Sequence, residues 1–84
     1  MLAVVGIVIN RKKAVEKVNQ ILSQHGQMIL GRMGIPNPQQ NLALMALIIQ
    51  GENEEIAGLT GKLGNIPGVK VRSAVTTEEK FTEG

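Results

Sequence analysis

Two runs of eight consecutive apolar residues, at positions 2–9 and 42–49, constrain this chain more than any other feature. Each run ends at a polar residue, Asn10 or Gln50. A membrane-spanning helix needs about 20 apolar residues, so neither run is long enough to be one. Because neighbouring side chains of a strand point to opposite faces, a strand that is apolar at every position is expected to be covered on both faces. The two runs therefore predict two central strands of a sheet.

The rest of the chain has the residue spacing of two amphipathic helices. Residues 11–25 repeat apolar residues every three or four positions, and Asn10 is the predicted N-cap because its side chain can accept a backbone N–H bond. Gly26 is the predicted left-handed stop. Residues 51–53 are predicted to turn the chain into a second helix, which ends at Gly64. The predicted buried stripes are Ala14, Val15, Val18, Ile21 and Leu22 in the first helix and Ile56, Leu59, Thr60 and Leu63 in the second.

Two shorter segments complete the predicted sheet. Residues 27–33 fit a more polar strand, and residues 35–40 fit a loop because two prolines remove backbone donors there. Pro67-Gly68 suits the centre of a type II turn, after which residues 69–76 alternate as a half-buried strand does. The predicted fold is thus ferredoxin-like α+β with the order βαββαβ, in which a four-stranded antiparallel sheet carries two helices on one face.

The topology and the hydrophobicity support each other. The first and third strands are central in this fold, and these are the two apolar runs. The cations Arg32, Lys70 and Arg72 fall in the second and fourth strands, which are the predicted edges. Since the helices cover only one face, the other face would expose a large apolar patch, which usually marks an interaction surface. We expect a second copy to cover it, as a dimer or a tetramer; the alternative is a different partner domain.

Length and composition limit the number of domains and the kinds of site that the chain can form. A chain of 84 residues has room for one domain, predicted at residues 1–76 and followed by a polar, flexible tail at 77–84. There is no cysteine and one histidine, His25, so a disulfide or a Cys/His zinc site cannot form within the chain. We expect no metal, no cofactor and no catalytic set of nucleophile, base and orienting residue, and so no enzyme. The amino terminus lacks the basic stretch and cleavage site of a signal peptide, which predicts a cytoplasmic protein without membrane contact.

Two places could bind a ligand. Gly31 and Gly34 bracket Arg32 at a strand end, where glycine permits close approach of a ligand and arginine can hold a carboxylate; an edge strand with a bulge is the alternative. Asn10 and Arg11 follow the first strand, and Arg11 begins a basic run, residues 11–13, that fits either a solvated face or an anion site. A single aromatic residue, Phe81, and no DNA-reading motif argue against direct nucleic-acid binding. Gly58 and Gly61 suggest tight packing of the second helix against the sheet, a neighbouring subunit or a small ligand.

Residues 31–36 (GRMGIP), 59–64 (LTGKLG) and 67–71 (PGVKV) resemble the small proteins described as iron-only hydrogenase system regulators. The resemblance implies an ACT-like domain, similar to the carboxy-terminal domain of nickel-responsive regulators, whose relatives assemble through their sheets and bind effectors near subunit contacts. It implies a homo-oligomeric sensing module in transcription control. A small-molecule effector and a separate DNA-binding or hydrogenase-system protein are further candidate partners, and a scaffold domain without a ligand is the alternative function.

Overall fold

The two apolar runs form the centre of the sheet in the computed structural model, which describes residues 1–36 and 41–76. The predicted tail at 77–84 lies outside the described residues. The elements are β1 (Leu2–Ile9), α1 (Lys12–Gln24), a short 3-10 helix (Gly26–Met28), β2 (Ile29–Pro36), β3 (Ala43–Gln50), α2 (Asn53–Gly64) and β4 (Val69–Val75). This order confirms the predicted ferredoxin-like fold.

The described strands form one antiparallel sheet in the order β2-β3-β1-β4. Ala46 of β3 lies opposite Gly6 of β1, and the same rows continue to Met33 on β2 and Arg72 on β4. A bulge between Ile29 and Gly31 interrupts the ladder of β2 with β3. The cationic strands β2 and β4 therefore lie at the edges, as predicted.

One face of the sheet packs against both helices. Side chains along β1 alternate between buried and exposed, which is the pattern of a strand covered on one side only. The buried residues of β1, β3 and both helices form a single cluster, and none of the buried side chains in the described ranges is polar. The largest fully buried side chains are Ile7, Ile9, Leu22, Leu47, Ile49, Leu59, Leu63, Val5 and Val18.

The ends of α1 differ from the prediction. The helix starts at Lys12 with Arg11 as N-cap, and no side-chain cap bond is formed by the described residues, so the predicted Asn10 cap is wrong. Asn10 is held elsewhere, because its backbone N–H donates to the Gly68 carbonyl at 2.9 Å. The predicted left-handed stop at Gly26 is also wrong: α1 ends at Gln24, and Gly26 starts the 3-10 helix without a positive φ.

Strand β2 is displaced along the chain relative to its prediction. It begins at Ile29, because the 3-10 helix occupies residues 26–28, and it continues to Pro36. The prediction of a loop at Ile35 and Pro36 is wrong, because a proline is tolerated at an edge strand where no ladder N–H is required. The remaining predicted loop residues, 37–40, lie outside the described residues.

The turn predicted before β4 is present. Pro67 and Gly68 form the turn before β4: Gly68 has φ +86°, and the Val69 N–H donates to the Ile66 carbonyl at 3.1 Å. These are the marks of a type II turn. At the start of α2 the Glu55 carboxylate accepts the backbone N–H of Glu52 at 2.8 Å, which satisfies a donor that the helix leaves free.

Candidate functional site

The sheet face away from the helices carries a continuous apolar surface. We call it the open face. Its large apolar side chains are Leu2, Val4 and Val8 on β1, Leu44 and Ile48 on β3, and Met33 and Ile35 on β2. Their exposed fractions lie between 37% and 64%. Soluble proteins rarely leave so much contiguous apolar surface in water unless another surface covers it, so the open face is the candidate functional site.

A shallow depression of about 490 Å³ lies in the middle of the open face. Gly6 and Ala46, whose side chains are small, lie opposite each other and form its floor. Met33 and Ile35 border it on the β2 side, and Lys70 and Arg72 border it on the β4 side. The depression is thus apolar except along one edge.

Charge on the open face is confined to that edge. Lys70 and Arg72 alternate with apolar residues along β4, opposite Val8 and Gly6. None of the open-face residues within 1–36 and 41–76 is acidic. A partner that covers this face therefore has to leave the two cations in water or supply negative charge to them.

Arg32 lies on the helix side of β2 and not on the open face. It is opposite buried Leu47, and its Nη2 donates to Asn19 Oδ1 of α1 at 2.8 Å. Gly31 is not crowded, because a Cβ built there would meet no described atom within 4 Å, and at Gly34 the same Cβ would make only ordinary contacts at 3.9 Å. Neither glycine is required by close approach within the chain.

Asn10 and Arg11 line a second groove, at the carboxyl end of β1. Its other lining residues are Ile9, Lys12, Val15, Pro36, Asn41, Leu42 and Ala43. Arg32, Gly31 and Gly34 do not line this groove. The candidate ligand residues therefore occupy two separate places, and the structure brings only Asn10 and Arg11 together.

The structure also describes the surroundings of Gly58, Gly61 and His25. Tight packing of Gly58 and Gly61 against the sheet is wrong, since a Cβ at either position would meet no described atom within 4 Å. His25 is near a cation, because its Nε2 lies 3.2 Å from Lys62 Nζ. In the described part of the chain no three His, Cys, Asp or Glu side chains lie close enough to hold a metal ion.

The Gly6–Ala46 depression was not predicted from the sequence, although the sequence contains a signal for it. Gly6 interrupts an otherwise β-branched and aliphatic strand, and glycine inside a strand often marks the close approach of another group. Its position opposite Ala46 depends on the register between β1 and β3, which the residue pattern alone does not give.

The sequence matches the family of TM1266-like iron-only hydrogenase system regulators over residues 1–73. The chain belongs to this family. A solved structure of the uncharacterized protein TM1266 from Thermotoga maritima is 36% identical to it, with a TM-score of 0.82, and the match covers 87% of this chain and 92% of that one. The predicted resemblance is therefore confirmed.

More distant solved structures share only the fold with this regulator-family chain. The C-terminal domain of the MgtC protein from Mycobacterium tuberculosis is 20% identical, with a TM-score of 0.67 over 94% of this chain and 90% of that one. A formyltetrahydrofolate deformylase from Pseudomonas putida KT2440 is 8% identical, with a TM-score of 0.63 over 90% of this chain and 29% of that one. No match was found among curated proteins. None of the described helices is both long and apolar enough to cross a membrane.

Proposed function

We propose that this protein is a homo-oligomeric, non-catalytic regulatory module of an iron-only hydrogenase system. The description of its family supports the regulatory role and the system. The open face supports self-association, and it is the observation on which the proposal depends. The module would work in the cytoplasm through a separate DNA-binding or hydrogenase-system protein.

The free energy available from covering the open face supports a stable assembly. Stable complexes bury about 800 Å² per partner. At about 25 cal/mol per Å², covering about 800 Å² of apolar surface contributes about 20 kcal/mol, against an association cost of about 4–15 kcal/mol. A second copy is the simplest cover because most soluble oligomers are symmetric homo-oligomers.

The groove at Asn10 and Arg11 is the proposed effector site. Arg11 and Lys12 lie at the start of α1, where no described side chain caps the helix and no acidic residue occupies the first turn. An anionic small molecule would gain from both the cations and the helix dipole. Arg32, between Gly31 and Gly34, is the second candidate, because its guanidinium can bind a carboxylate with two parallel bonds.

A scaffold domain without a ligand is the alternative function. One observation favours it: the buried side chains of the described residues are all apolar, and no buried polar atom there lacks a partner. A preformed ligand site commonly contains a few polar groups that fix the ligand's orientation.

Native mass spectrometry of the protein purified from its own cells would separate the two functions. A regulatory module should retain a small anion, and Arg11→Ala should reduce its occupancy at least tenfold, whereas Lys17→Ala, an exposed change on α1 outside the groove, should not. Deletion of the gene should also change the level of hydrogenase transcripts. An oligomer without a ligand, together with unchanged transcripts, would favour the scaffold and contradict regulation.

A further inference from the structure

The open face is not equally suited to contact over its whole width. Its exposed large apolar residues lie on β2, β3 and β1, whereas β4 contributes Lys70, Arg72 and Ala74. Because the sheet order is β2-β3-β1-β4, the middle of the apolar area lies over β3 and not over the midline of the sheet. This offset limits how two copies can meet.

We propose that two copies pack face to face with their two-fold axis running along β3, and that Met33 of each copy enters the Gly6–Ala46 depression of the other. This inference rests on the proposed self-association and specifies its geometry. In this arrangement β3 faces β3, and β2 of each copy faces β1 of the other.

The sheet order selects this axis over its neighbours. Strands are about 4.8 Å apart, so an axis along β3 exchanges β2 with β1 and places β4 about 4.8 Å beyond the edge of the other sheet, where its cations remain in water. An axis along the midline of the sheet, between β3 and β1, would place β4 over β2, and Lys70 and Arg72 would lose water against Met33 and Ile35. Burying unpaired cations is costly, so that packing is disfavoured.

The register of β1, β2 and β3 determines which residues of the two copies meet. Met33, Ala46 and Gly6 are direct neighbours in one row across β2, β3 and β1. A two-fold axis along β3 leaves the position along the strand unchanged and brings Met33 of one copy over Gly6 of the other. Met33 is 64% exposed, more than any other large apolar side chain that the structure describes, and methionine adapts well to irregular pockets.

Gly6 provides an independent observation. A Cβ added there would meet only the Arg72 carbonyl oxygen, at 3.9 Å, which is an ordinary contact, and its φ is not positive. Nothing in the described residues therefore requires glycine at the centre of this strand, although glycine weakens a strand interior. A side chain that enters the depression from a second copy explains why position 6 has no side chain of its own.

A double-mutant cycle on the association constant tests the proposed packing. Met33→Ala shortens the inserted side chain and Gly6→Val fills the depression, and each should raise the dimer Kd at least tenfold. The dimer Kd of the double variant should be much lower than the value expected if the two single-variant increases in Kd multiplied. The reason is that the filled depression no longer has to accept methionine. Ala74→Val, a matched enlargement on β4 outside the contact, should change the Kd less than threefold.

Cross-linking gives a second readout that does not depend on affinity. The chain has no cysteine, so single-cysteine variants can be compared directly. A bismaleimide that spans about 10 Å, the separation of packed sheets, should join Ala46→Cys copies rapidly and Ala74→Cys copies poorly. If the protein dimerises but Met33→Ala and Gly6→Val change the Kd independently, the packing is overturned and self-association stands. The same holds if Ala74→Cys copies cross-link better than Ala46→Cys copies. A monomer would overturn both proposals.

Discussion

Asn10 and Gly68 lie in direct contact at the end of the sheet, where the backbone N–H of Asn10 donates to the Gly68 carbonyl at 2.9 Å. A Cβ on Gly68 would lie 2.7 Å from Asn10 Oδ1 and 2.8 Å from Arg11 Cγ. Gly68 also has φ +86°, which L side chains rarely adopt. The turn before β4 thus fixes the residues that precede α1, including both candidate ligand residues of that loop.

Gly68→Ala should therefore lower the free energy of unfolding by about 1–3 kcal/mol, because the strained φ and the clash with Asn10 act together. Gly61→Ala is the matched control. It lies in a helix with open space around it, and it should raise the free energy of unfolding by about 0.5–1 kcal/mol. Urea denaturation at one protein concentration measures both. Equal effects of the two substitutions would contradict the close contact at Gly68.

Glu55→Ala should destabilise the protein by about 1 kcal/mol more than Glu54→Ala. Both residues lie in the first turn of α2, where a carboxylate interacts favourably with the helix dipole, but only Glu55 accepts the Glu52 N–H, at 2.8 Å. The difference between the two free energies of unfolding isolates the hydrogen bond. It would be absent if the N–H of Glu52 were equally well satisfied by water.

Leu59→Ala should cost about 2–5 kcal/mol of unfolding free energy, since Leu59 is fully buried and its removal leaves a cavity. Lys17→Ala, at an exposed position of α1, should stay within about 0.5 kcal/mol. Thermal unfolding at a fixed concentration compares them, because association itself contributes to stability. A small loss at Leu59 would mean that the helix face predicted to be buried does not form the core.

Arg32→Ala and Asn19→Ala should each cost less than about 1 kcal/mol, because the bond they share is exposed to water. The double variant should have the same free energy of unfolding as the less stable of the two single variants, since either change alone removes the whole hydrogen bond. A loss well above this range would mean that Arg32 has a structural role beyond the contact with Asn19. Arg32 would then be a poor candidate for ligand binding.

The central strands and the turn before β4 are predictable from the sequence. The sequence predicts strands β1 and β3 because their side chains are apolar on both faces, and it predicts the type II turn because Pro67-Gly68 meets the dihedral requirements of that turn. The predicted ends of α1 are wrong. Local capping preferences favour Asn10 and Gly26 as its ends, whereas the backbone of Asn10 is hydrogen-bonded to Gly68 in the turn before β4. A tertiary contact of this kind can override the capping preference of a residue near a helix end.

The candidate site was less predictable because it depends on register. The bulge between Ile29 and Gly31 reverses the alternation within β2, so Ile29 packs toward the core while Met33 and Ile35 lie on the open face. The same shift turns Arg32 toward α1. The residue pattern gave the bulge only as an alternative for Gly31 and Gly34, and it could not place Ala46 opposite Gly6.

Sedimentation velocity over a range of micromolar concentrations tests the central claim, that a second copy covers the open face. We expect a species of at least twice the 9.0 kDa chain mass, and we expect Ile48→Lys, in the middle of the open face, to convert it to a folded monomer. A folded 9.0 kDa monomer of the unaltered protein at every concentration would contradict the claim.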